Sequence, residues 1–523
     1  MSNPAILANL IQSWLIKAPN RKVLTFVDID DQGDFVEESR TYQEIWENGQ
    51  RLAKALSEQG MKGGDSFALV MANHPEFVDL MVASSILGTI FVPIDPRVKG
   101  EKLTYMLNHA DCKGAVVANY ALVNVNQAWQ GETDKWLITL EESDTTLIST
   151  RAILSSDNVP NLSVASTDPN SPMQMLYTSG TTGDPKAILS SHAKFASAAI
   201  IGGVLGLNEN DRPYTGLSLT HANAQIVTLG TILTLGLEGV ISRKFTKSRL
   251  WDITRQYGCT WFNLLGGMTT AIFAESPKEN DKDNPVRIIL SAGMPAAIWK
   301  DFEERFDVKL FEFYGAAEGG LTFNPAGLGP VGSCGKAPEF LELIIFNDND
   351  EECAPGQPGE ICFRNADGTA PPVQYFKNSD ASSKKTRDGW LRMGDIGYLD
   401  ENGWLFFQYR KGGGIRRNGD FIDPAFVEKA LSQHPLINDV YVYGIRGDNL
   451  APGEKDVVAA VVVEDGFDPI ETFSFCQNHL ASNLVPNYLQ VVEQIPKTAS
   501  EKPQERFLLD AFSSNSDQVH AYV

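Results

Sequence analysis

The stretch YTSGTTGDPKAILSSH, from Tyr177 to His192, places hydroxyls, glycines and a lysine between two apolar runs. Before it, MQML at Met173–Leu176 is typical of the end of a buried strand, and SSHAKFASAAII at Ser190–Ile201 is typical of a capped helix. The sequence therefore predicts a strand-to-helix turn. In such a turn, glycines let the backbone approach a ligand, while hydroxyls, amides and an ammonium group can face an anion.

Composition alone also fits a flexible linker rich in glycine, serine and threonine. Asp184-Pro185-Lys186 opposes that interpretation, because the proline stiffens the end of the loop and fixes the position of the lysine. The stretch is not a Walker loop, since Pro185 rather than glycine precedes the lysine and no serine or threonine follows it. A triphosphate is compatible with this loop, and composition leaves open whose triphosphate it is.

Length and charge narrow the class of protein. At 523 residues the chain is too long for one hydrophobic core, so two or more domains are expected. With 43% apolar and 21% charged residues it resembles an ordinary globular protein, and its formal net charge of −22 argues against a nucleic-acid partner. An acidic substrate would need locally placed cations, for which the candidates are Lys186, Arg410, Arg416, Arg417 and Lys502.

The cysteines and apolar segments predict a soluble, cytoplasmic protein. Six cysteines without a CxxC pair favour a reducing compartment. The first residues, MSNPAILANLIQSWLIKAPNRK, show an amphipathic helix pattern without the charged start and long apolar core of a signal peptide. The longest apolar run, Ala224–Ile241, is broken by polar residues and glycines, so it predicts a buried helix and no stable membrane insertion.

Strand-like and helical runs alternate along most of the chain, which predicts an α/β fold. The strand-like runs include Ser66–Ala72, Lys113–Ala118, Val286–Gly293 and Val308–Gly315, and the alternation predicts helices covering a mostly parallel sheet. After about Gly329 the pattern changes to short strands and turns, in LELIIFND, GEICFR and GWLFFQY.

Three consecutive glycines interrupt the charged segment RKGGGIRRNGD at Arg410–Asp420. Because a triple glycine is costly inside a folded unit, it predicts a hinge or linker. Beyond it, the strand-like DVYVYGIRG and KDVVAAVVVE and the helical PAFVEKALSQH predict a small α+β domain. We therefore expect a large domain at 1–410 and a C-terminal domain at 411–523, with the hinge at 412–414.

Several familiar motifs do not account for the function. Gly327-Leu-Gly329-Pro-Val-Gly332 matches GxGxxG, but Pro330 and the residues after it do not open a helix, which argues against a dinucleotide site. The seven histidines include no HExxH and no metal-ligand spacing, and nothing resembles GxSxG with a triad. Metal-hydrolase and serine-hydrolase functions are therefore disfavoured.

Five segments, in chain order, resemble the adenylate-forming superfamily of acyl-CoA synthetases, luciferases and peptide-synthetase adenylation domains. They are NHPEFVDLMVASSILGTIFVPIDP (Asn73–Pro96), YTSGTTGDPK, FYGAAEGG (Phe313–Gly320), DGWLRMGDIGYLDENGWLFF (Asp388–Phe407) and PKTASEKPQERFL (Pro496–Leu508). The resemblance implies an α/β fold with a large N-terminal domain of mostly parallel sheets covered by helices and a distorted β-barrel subdomain. It also implies a small, mobile α+β C-terminal domain.

The resemblance implies that ATP phosphates are held by the segment from Thr178 to Lys186. The loop residues between them in this assignment are Ser179, Gly180, Thr181, Thr182 and Gly183. Thr178 and Glu318 would lie near Mg²⁺. The loop would thus hold ATP while a carboxylate attacks the α-phosphorus, a reaction that brings anions together and therefore needs preorganised cations and donors.

The resemblance also implies which residues contact the nucleoside and which lysine is catalytic. Tyr314 would stack on adenine beside Gly315, Asp395 would take both ribose hydroxyls, and Arg410 would reach the ribose or a phosphate. Lys502 would bridge the carboxylate and the α-phosphate. Without these motifs the same side chains would be interpreted as a core aromatic, a turn residue, a surface charge and a tail lysine.

On the acyl side the resemblance is greatest to the crotonobetaine/carnitine-CoA ligase branch, through LTHANAQ, FNLLGGM and DNPVRIILSAGMPAAIW. His221 would lie between the acyl pocket and the thiol entry, and Gly266, Gly267 and Gly293 would leave volume beside the acyl group. The implied activity is an acid:CoA ligase that uses ATP, Mg²⁺ and coenzyme A and releases AMP and pyrophosphate. The identity of the carboxylic acid and the formation of a homodimer stay open.

Four positions depart from the family pattern. Ala317 stands where threonine is usual, Ala187 replaces the glycine after the loop lysine, Tyr409 replaces aspartate or glycine, and Gly412 replaces the usual Asp or Lys of the hinge. These departures keep two alternatives open: an enzyme that passes the acyl group to a carrier protein, and a non-catalytic nucleotide-binding homologue. The retained residues favour an enzyme, and these are Lys186, Glu318, Asp395, Arg410 and Lys502.

Overall fold

The computed structural model describes residues 3–142, 146–178, 185–411, 415–417, 420–422, 424–446, 455–480, 484–498 and 503–522. The chain divides into two compact units. The first comprises Met1–Asn263 and Val373–Ser383, and the second comprises Leu264–Pro372 and Lys384–Val523. The predicted boundary between 410 and 411 stays a prediction, and the hinge at 412–414 lies outside the described residues.

The first unit contains strands β1 to β11 and the start of β12. They are β1 Lys22–Ile29, β2 Phe35–Thr41, β3 Ser66–Val70, β4 Ile90–Ile94, β5 Cys112–Val117, β6 Trp136–Thr139, β7 Ile148–Ser149, β8 Pro172–Thr178, β9 Lys186–Ser191, β10 Pro213–Thr215, β11 Gly239–Ser242 and β12 Trp261–Leu265. One sheet has the order β7-β6-β5-β3-β4-β8-β9, and only its β8–β9 pair is antiparallel. In the other, β12, β10, β11 and β1 are parallel neighbours, and β2 is antiparallel to β1.

Helices cover these sheets, as the alternating sequence pattern predicts. They are α1 Leu7–Lys17, α2 Tyr42–Glu58, α3 Pro75–Leu87, α4 Gly100–His109, α5 Leu122–Ala128, α6 Thr150–Leu154, α7 His192–Ala196, α8 Ala199–Leu205, α9 Thr231–Leu235 and α10 Leu250–Tyr257. The start of α2 is a capping box, in which Thr41 and Glu44 each accept a backbone hydrogen bond from the other. Almost all of α3 is buried, in keeping with its apolar sequence.

Two local predictions in the first unit are wrong. The loop after β8 leads into another strand, β9, because Lys186–Ser191 pairs antiparallel with β8, and the helix begins only at His192. The run Ala224–Ile241 is not one helix. It contains most of a π-helix at Asn223–Gly230, then α9, and it ends in β11, since Gly236 adopts a left-handed φ of 70° that terminates the helix.

The second unit contains β13 to β26 and most of the remaining helices. The strands are β13 Ile288–Ala292, β14 Lys309–Ala316, β15 Gly319–Asn324, β16 Leu341–Phe346, β17 Gly359–Asn365, β18 Thr386–Arg387, β19 Trp390–Leu399, β20 Leu405–Arg410, β21 Ile415–Arg417, β22 Asp420–Ile422, β23 Ile437–Ile445, β24 Asp456–Val463, β25 Tyr488–Val491 and β26 Val519–Ala521. The helices are α11 Gly266–Phe273, α12 Trp299–Phe306, α13 Ser379–Lys385, α14 Pro424–Ser432, α15 Pro469–His479 and α16 Glu505–Ala511. Of these, α13 begins in the first unit.

The strands of the second unit form separate structures along the chain. Strands β13, β14 and β15 are consecutive neighbours, and the order β16-β17-β19-β18, with β20 on β19, forms a half-barrel sheet. Strands β23 to β26 form a four-stranded sheet with its own buried core, which includes Val442, Val457, Ala459 and Leu489. The predicted change to short strands and the small C-terminal α+β domain are confirmed. Among the helices that the structure describes, none is long and apolar enough to cross a membrane.

Candidate active site

The segment FYGAAEGG forms the hairpin between β14 and β15 in the second unit. Tyr314 lies opposite Thr322, and Ala317 and Glu318 form the turn between the two strands. Gly319 has a φ of 138°, a backbone conformation that favours glycine. The hairpin therefore presents Tyr314 from a strand and Glu318 from a turn.

Asp395 lies on β19, directly opposite Arg410 on β20. Asp395 is buried, and Arg410 is more than half exposed. The Nε of Arg410 lies 3.6 Å from the Oδ1 of Asp395. Before Asp395, Gly394 has a φ of 72°, which a side-chain-bearing residue would adopt only with strain. The antiparallel register thus brings together two residues that the sequence predicts for the ribose.

Tyr314 joins this pair. Its hydroxyl donates a hydrogen bond to the Oδ2 of Asp395 at 2.5 Å. Burial, followed by the charge of Asp395, raises the pKa of Tyr314 well above its usual value. The ring of Tyr314 lies near those of Phe363, with centroids 6.2 Å apart, and Phe407, with centroids 6.3 Å apart. Tyr314, Asp395 and Arg410 therefore form one cluster, named here the ribose cluster after the role that the resemblance predicts for Asp395.

A second layer of charges supports the ribose cluster. Gly394 N donates to the carboxylate of Glu360 at 3.2 Å, so Glu360 holds the backbone next to Asp395. The Oε2 of Glu360 also lies 3.7 Å from the Nη1 of Arg392 and 3.5 Å from the Nζ of Lys411. The sequence shows no signal for this role of Glu360, because the contact depends on the pairing of β17 with β19.

Lys385 is a cation near the same cluster that the sequence did not predict. Its Nζ donates to the carbonyl of Met393 at 2.9 Å. Burial lowers the pKa of Lys385, while nearby carboxylates, of which Glu318 has the largest effect, oppose that shift. Lys384 and Lys385 are adjacent in the sequence, and only the fold half-buries the second while the first stays exposed.

In the first unit, the β8–β9 pair determines where the candidate phosphate loop begins and ends. Thr178 and Lys186 are register partners, so the two ends of the loop are adjacent. Lys186 is exposed, and its ammonium lies 5.4 Å from the centre of the Tyr375 ring. The five loop residues Ser179, Gly180, Thr181, Thr182 and Gly183 lie outside the described residues, as does Lys502.

His221 also belongs to the first unit and lies two residues before the first residue of the π-helix, Asn223. It is half-buried, and its Nδ1 accepts a hydrogen bond from Asn223 N at 3.2 Å. Because Nδ1 is an acceptor, the neutral ring carries its hydrogen on Nε2. In the same region Asn263 accepts a hydrogen bond from Thr228 at 2.6 Å. A π-helix next to polar buried groups is a frequent feature of functional sites.

The turn after β13 is held by a buried carboxyl group. Glu312 accepts hydrogen bonds from Gly293 N and from Met294 N, the latter at 3.2 Å and 3.1 Å to its two oxygens. Burial raises the pKa of Glu312 to about 8. A Cβ on Gly266 would lie 2.6 Å from the carbonyl oxygen of Gly293, so Gly266 permits a close approach of two backbones.

The α/β fold and the contacts among Tyr314, Asp395 and Arg410 agree with the class that the sequence predicts, the adenylate-forming enzymes. The chain belongs to the AMP-binding enzyme family: the family model described as AMP-binding enzyme matches residues 12–371, and the model of its C-terminal domain matches residues 427–502. The resemblance inferred from the five segments is therefore confirmed.

Known relatives agree with this assignment. The crotonobetaine/carnitine–CoA ligase of Escherichia coli O7:K1 (strain IAI39 / ExPEC) is 28% identical over 478 residues, which cover 88% of this chain and 91% of the relative. The anthranilate CoA ligase AuaEII, solved with anthranoyl-AMP, has a TM-score of 0.83 at 22% identity, covering 96% of both chains. The o-succinylbenzoate coenzyme A synthetase MenE of Bacillus subtilis, solved with ATP and magnesium ion, has a TM-score of 0.76 at 22% identity, covering 96% of this chain and 99% of MenE.

Proposed function

We propose that this protein is an AMP-forming acid:CoA ligase. A carboxylate oxygen attacks the α-phosphorus of ATP, pyrophosphate leaves, and the thiol of coenzyme A then displaces AMP from the acyl-adenylate. The observation that carries the proposal is the ribose cluster of Tyr314, Asp395 and Arg410 within a chain of the AMP-binding enzyme family. The name of the Escherichia coli relative and the acyl-adenylate bound to AuaEII support the same chemistry.

In this proposal the ribose cluster binds the nucleoside of ATP. Asp395 has two carboxylate oxygens, which suit the two ribose hydroxyls as acceptors. Tyr314 and Arg410 each contact one of these oxygens and so hold the carboxylate in place before ATP arrives. The ring of Tyr314 and the adjacent Gly315 would lie against the adenine. A carboxylate that is already oriented loses less conformational entropy when ATP binds.

The phosphates would be bound by the loop that Thr178 and Lys186 enclose. Lys186 supplies a point charge for the phosphate oxygens, and the loop supplies backbone amides and hydroxyls. Mg²⁺, which would neutralise phosphate charge, prefers oxygen ligands and is commonly held by one or two protein oxygens together with phosphates. The carboxylate of Glu318 and the hydroxyl of Thr178 have the donor chemistry for this ion. In the described part of the chain, no group of three or more histidine, cysteine or acidic residues could hold a metal by itself.

The acyl and thiol groups would meet near His221. Its Nδ1 accepts a hydrogen bond from Asn223 N, so the neutral ring carries its hydrogen on Nε2, and that N–H would donate to the acyl-adenylate or the thiol. Lys502 would bridge the carboxylate and the α-phosphate during adenylation. We further propose that the C-terminal domain rotates about 412–414 between the two half-reactions, because Gly412 to Gly414 resist a large φ/ψ change least.

The proposed chemistry also bears on the substrate class, the cellular location and the oligomeric state. The substrate is a small-molecule carboxylic acid, and crotonobetaine and carnitine are the first candidates because the relative is named for them. A reaction that consumes ATP and coenzyme A favours a cytoplasmic location. A homodimer is also compatible with this function, and sedimentation of the purified protein measures whether it forms.

The deciding experiment is acid-dependent release of AMP, measured with and without coenzyme A. The panel contains crotonobetaine, carnitine, anthranilate and straight-chain fatty acids. Release that requires coenzyme A supports the ligase. Acid-dependent pyrophosphate exchange without thioester formation would instead favour a carrier-protein acceptor, and no release with any acid would favour a non-catalytic homologue.

A matched pair of variants tests the ribose cluster. Asp395→Asn keeps the shape of the side chain but removes one strong acceptor, so we expect the KM for ATP to rise at least tenfold. Asp388→Asn is the control, because the side chain of Asp388 is 72% exposed. Its one described ion pair joins its Oδ2 to the Nε of Arg387 at 3.3 Å. Equal ATP KM values in the two variants would remove Asp395 from the nucleotide site.

A further inference from the structure

The segment Val373–Ser383 belongs to the first compact unit, although the chain on either side of it belongs to the second. Its backbone runs beside β9. Leu189 N donates to Gln374 O at 3.1 Å, and Phe376 N donates to Ala187 O at 2.8 Å. The segment therefore adds a short antiparallel neighbour to the strand that begins at the candidate phosphate loop.

This pairing places Tyr375 next to Lys186. Tyr375 forms an antiparallel bridge with Ile188, and side chains two residues apart on a strand share a face, so Lys186 is a diagonal neighbour of Tyr375. The Lys186 ammonium lies 5.4 Å from the centre of the Tyr375 ring, within the range of about 6 Å for cation–π attraction. Only 6% of Tyr375 is exposed, whereas Lys186 is open to solvent.

The backbone at Tyr375 is held by its own segment, and the next residue packs on the core of the first unit. Tyr375 N donates to the hydroxyl of Ser382 at 3.0 Å, and Asn378 N donates to Tyr375 O at 3.2 Å. The next residue, Phe376, packs edge-on against His109 with ring centres 5.8 Å apart. Because the backbone of Tyr375 is hydrogen-bonded on both sides and its side chain is buried, the ring is a fixed platform for a long, flexible lysine.

We propose that Tyr375 is a positioning residue for ATP, which holds the ammonium of Lys186 at the phosphate loop through the face of its ring. This inference rests on the proposed function, in which Lys186 meets the phosphates. An aromatic face attracts an ammonium group without cancelling its charge, so the ring restrains the lysine while the lysine keeps its charge for the phosphates. The restraint reduces the rotamer entropy that ATP binding would otherwise cost.

Side-chain replacements test the role of the ring. Tyr375→Phe keeps the ring and should leave the KM for ATP within twofold of the wild type. Tyr375→Leu removes the ring and should raise the KM for ATP between about twofold and fivefold, the range expected for an exposed cation–π contact, with the KM for the acid unchanged. In a Lys186→Ala background, Tyr375→Leu should have no further effect on the KM for ATP.

A fluorinated series keeps the shape of the ring, so it answers the question even if Tyr375→Leu fails to fold. Tyr375 is replaced by phenylalanine and by its mono-, di- and trifluorinated analogues, which progressively weaken the negative face of the ring. The KM for ATP should rise stepwise with the number of fluorines. The same series at Tyr488, whose ring packs against Phe512 with centres 5.4 Å apart, should leave that KM flat.

The outcomes separate this inference from the proposed function. If Lys186→Ala leaves the KM for ATP unchanged, the phosphate-loop assignment fails. If Lys186→Ala raises that KM but the fluorinated series is flat, or Tyr375→Leu adds its full effect in the Lys186→Ala background, the loop assignment stands and the positioning role of Tyr375 is overturned. Loss of ATP affinity in Tyr375→Phe equal to that in Tyr375→Leu would also overturn it, because the hydroxyl and not the ring would then be responsible.

Discussion

Tyr314 donates its phenolic hydrogen to Asp395 across 2.5 Å, linking the β14–β15 hairpin to the half-barrel sheet. Asp395 is buried, so its orientation depends on the partners that the protein provides. A carboxylate oxygen can accept two hydrogen bonds, and Tyr314 therefore leaves room for a ribose hydroxyl on the same oxygen. Tyr314 thus combines the proposed role of adenine platform with that of the group that orients the ribose carboxylate.

Tyr314→Phe isolates the second role, because it keeps the ring and removes only the hydroxyl. Hydrogen bonds to charged groups contribute about 1.5–3 kcal/mol, so we expect the KM for ATP to rise about tenfold or more. The KM for coenzyme A should not change. Pyrophosphate exchange at varied ATP concentration measures the effect, and an unchanged or lowered KM would show that Tyr314 does not orient Asp395.

Gly394→Ala should weaken both the fold and ATP binding. Gly394 has a φ of 72°, and the position that a Cβ would occupy is open, so the cost is backbone strain of about 1–2 kcal/mol. The strain falls next to Asp395, so the KM for ATP should rise as well. Gly368→Ala is the matched control, since Gly368 has a φ of 83° and equally open space. Urea unfolding should show similar losses of stability in both variants. Kinetic assays should give a normal KM for ATP only in the control.

Glu312 should make stability fall as pH rises. Burial raises its pKa to about 8, above the unfolded value of about 4.3, so the folded state binds the extra proton between these two values. Because the unfolded state then binds fewer protons, the free energy of unfolding decreases from pH 5 to pH 8, by on the order of 3 kcal/mol for this group.

Glu312→Gln tests this dependence, since an amide oxygen can still accept from Gly293 N and Met294 N but does not titrate. Urea unfolding of both proteins at pH 5, 6.5 and 8 gives the comparison. The free energy of unfolding of the variant, relative to that of the wild type, should increase from pH 5 to pH 8. A difference that is constant across this range contradicts the prediction.

Lys502→Ala should separate the two half-reactions. The variant should lose acyl-adenylate formation, because the cation that bridges the carboxylate and the α-phosphate is gone. It should still convert a pre-formed acyl-adenylate and coenzyme A to the thioester. Rapid-quench assays of each half-reaction decide the matter, and equal loss of both would argue against a lysine specific to adenylation. Lys502 lies outside the described residues, so this prediction depends on the resemblance of its segment.

Much of the fold and of the candidate site could be predicted from local sequence. The apolar runs predicted the strands because a buried strand needs continuous apolar side chains, and the segments around Tyr314, Asp395 and Arg410 predicted three residues that the structure brings together. Family membership followed from the resemblance of five segments to the adenylate-forming superfamily, which the family models match.

Tertiary structure decided what depends on partners distant in sequence. The stretch after Pro185 became β9 because β8 and the segment around Tyr375 satisfy its backbone hydrogen bonds, and local propensity does not register such partners. The support of Gly394 by Glu360 likewise depends on the pairing of β17 with β19, and Lys385 is half-buried where its ammonium donates to Met393 O. Residue types determined which chemistry the chain can perform, and long-range hydrogen bonding and burial decided which of those residues are held where the chemistry needs them.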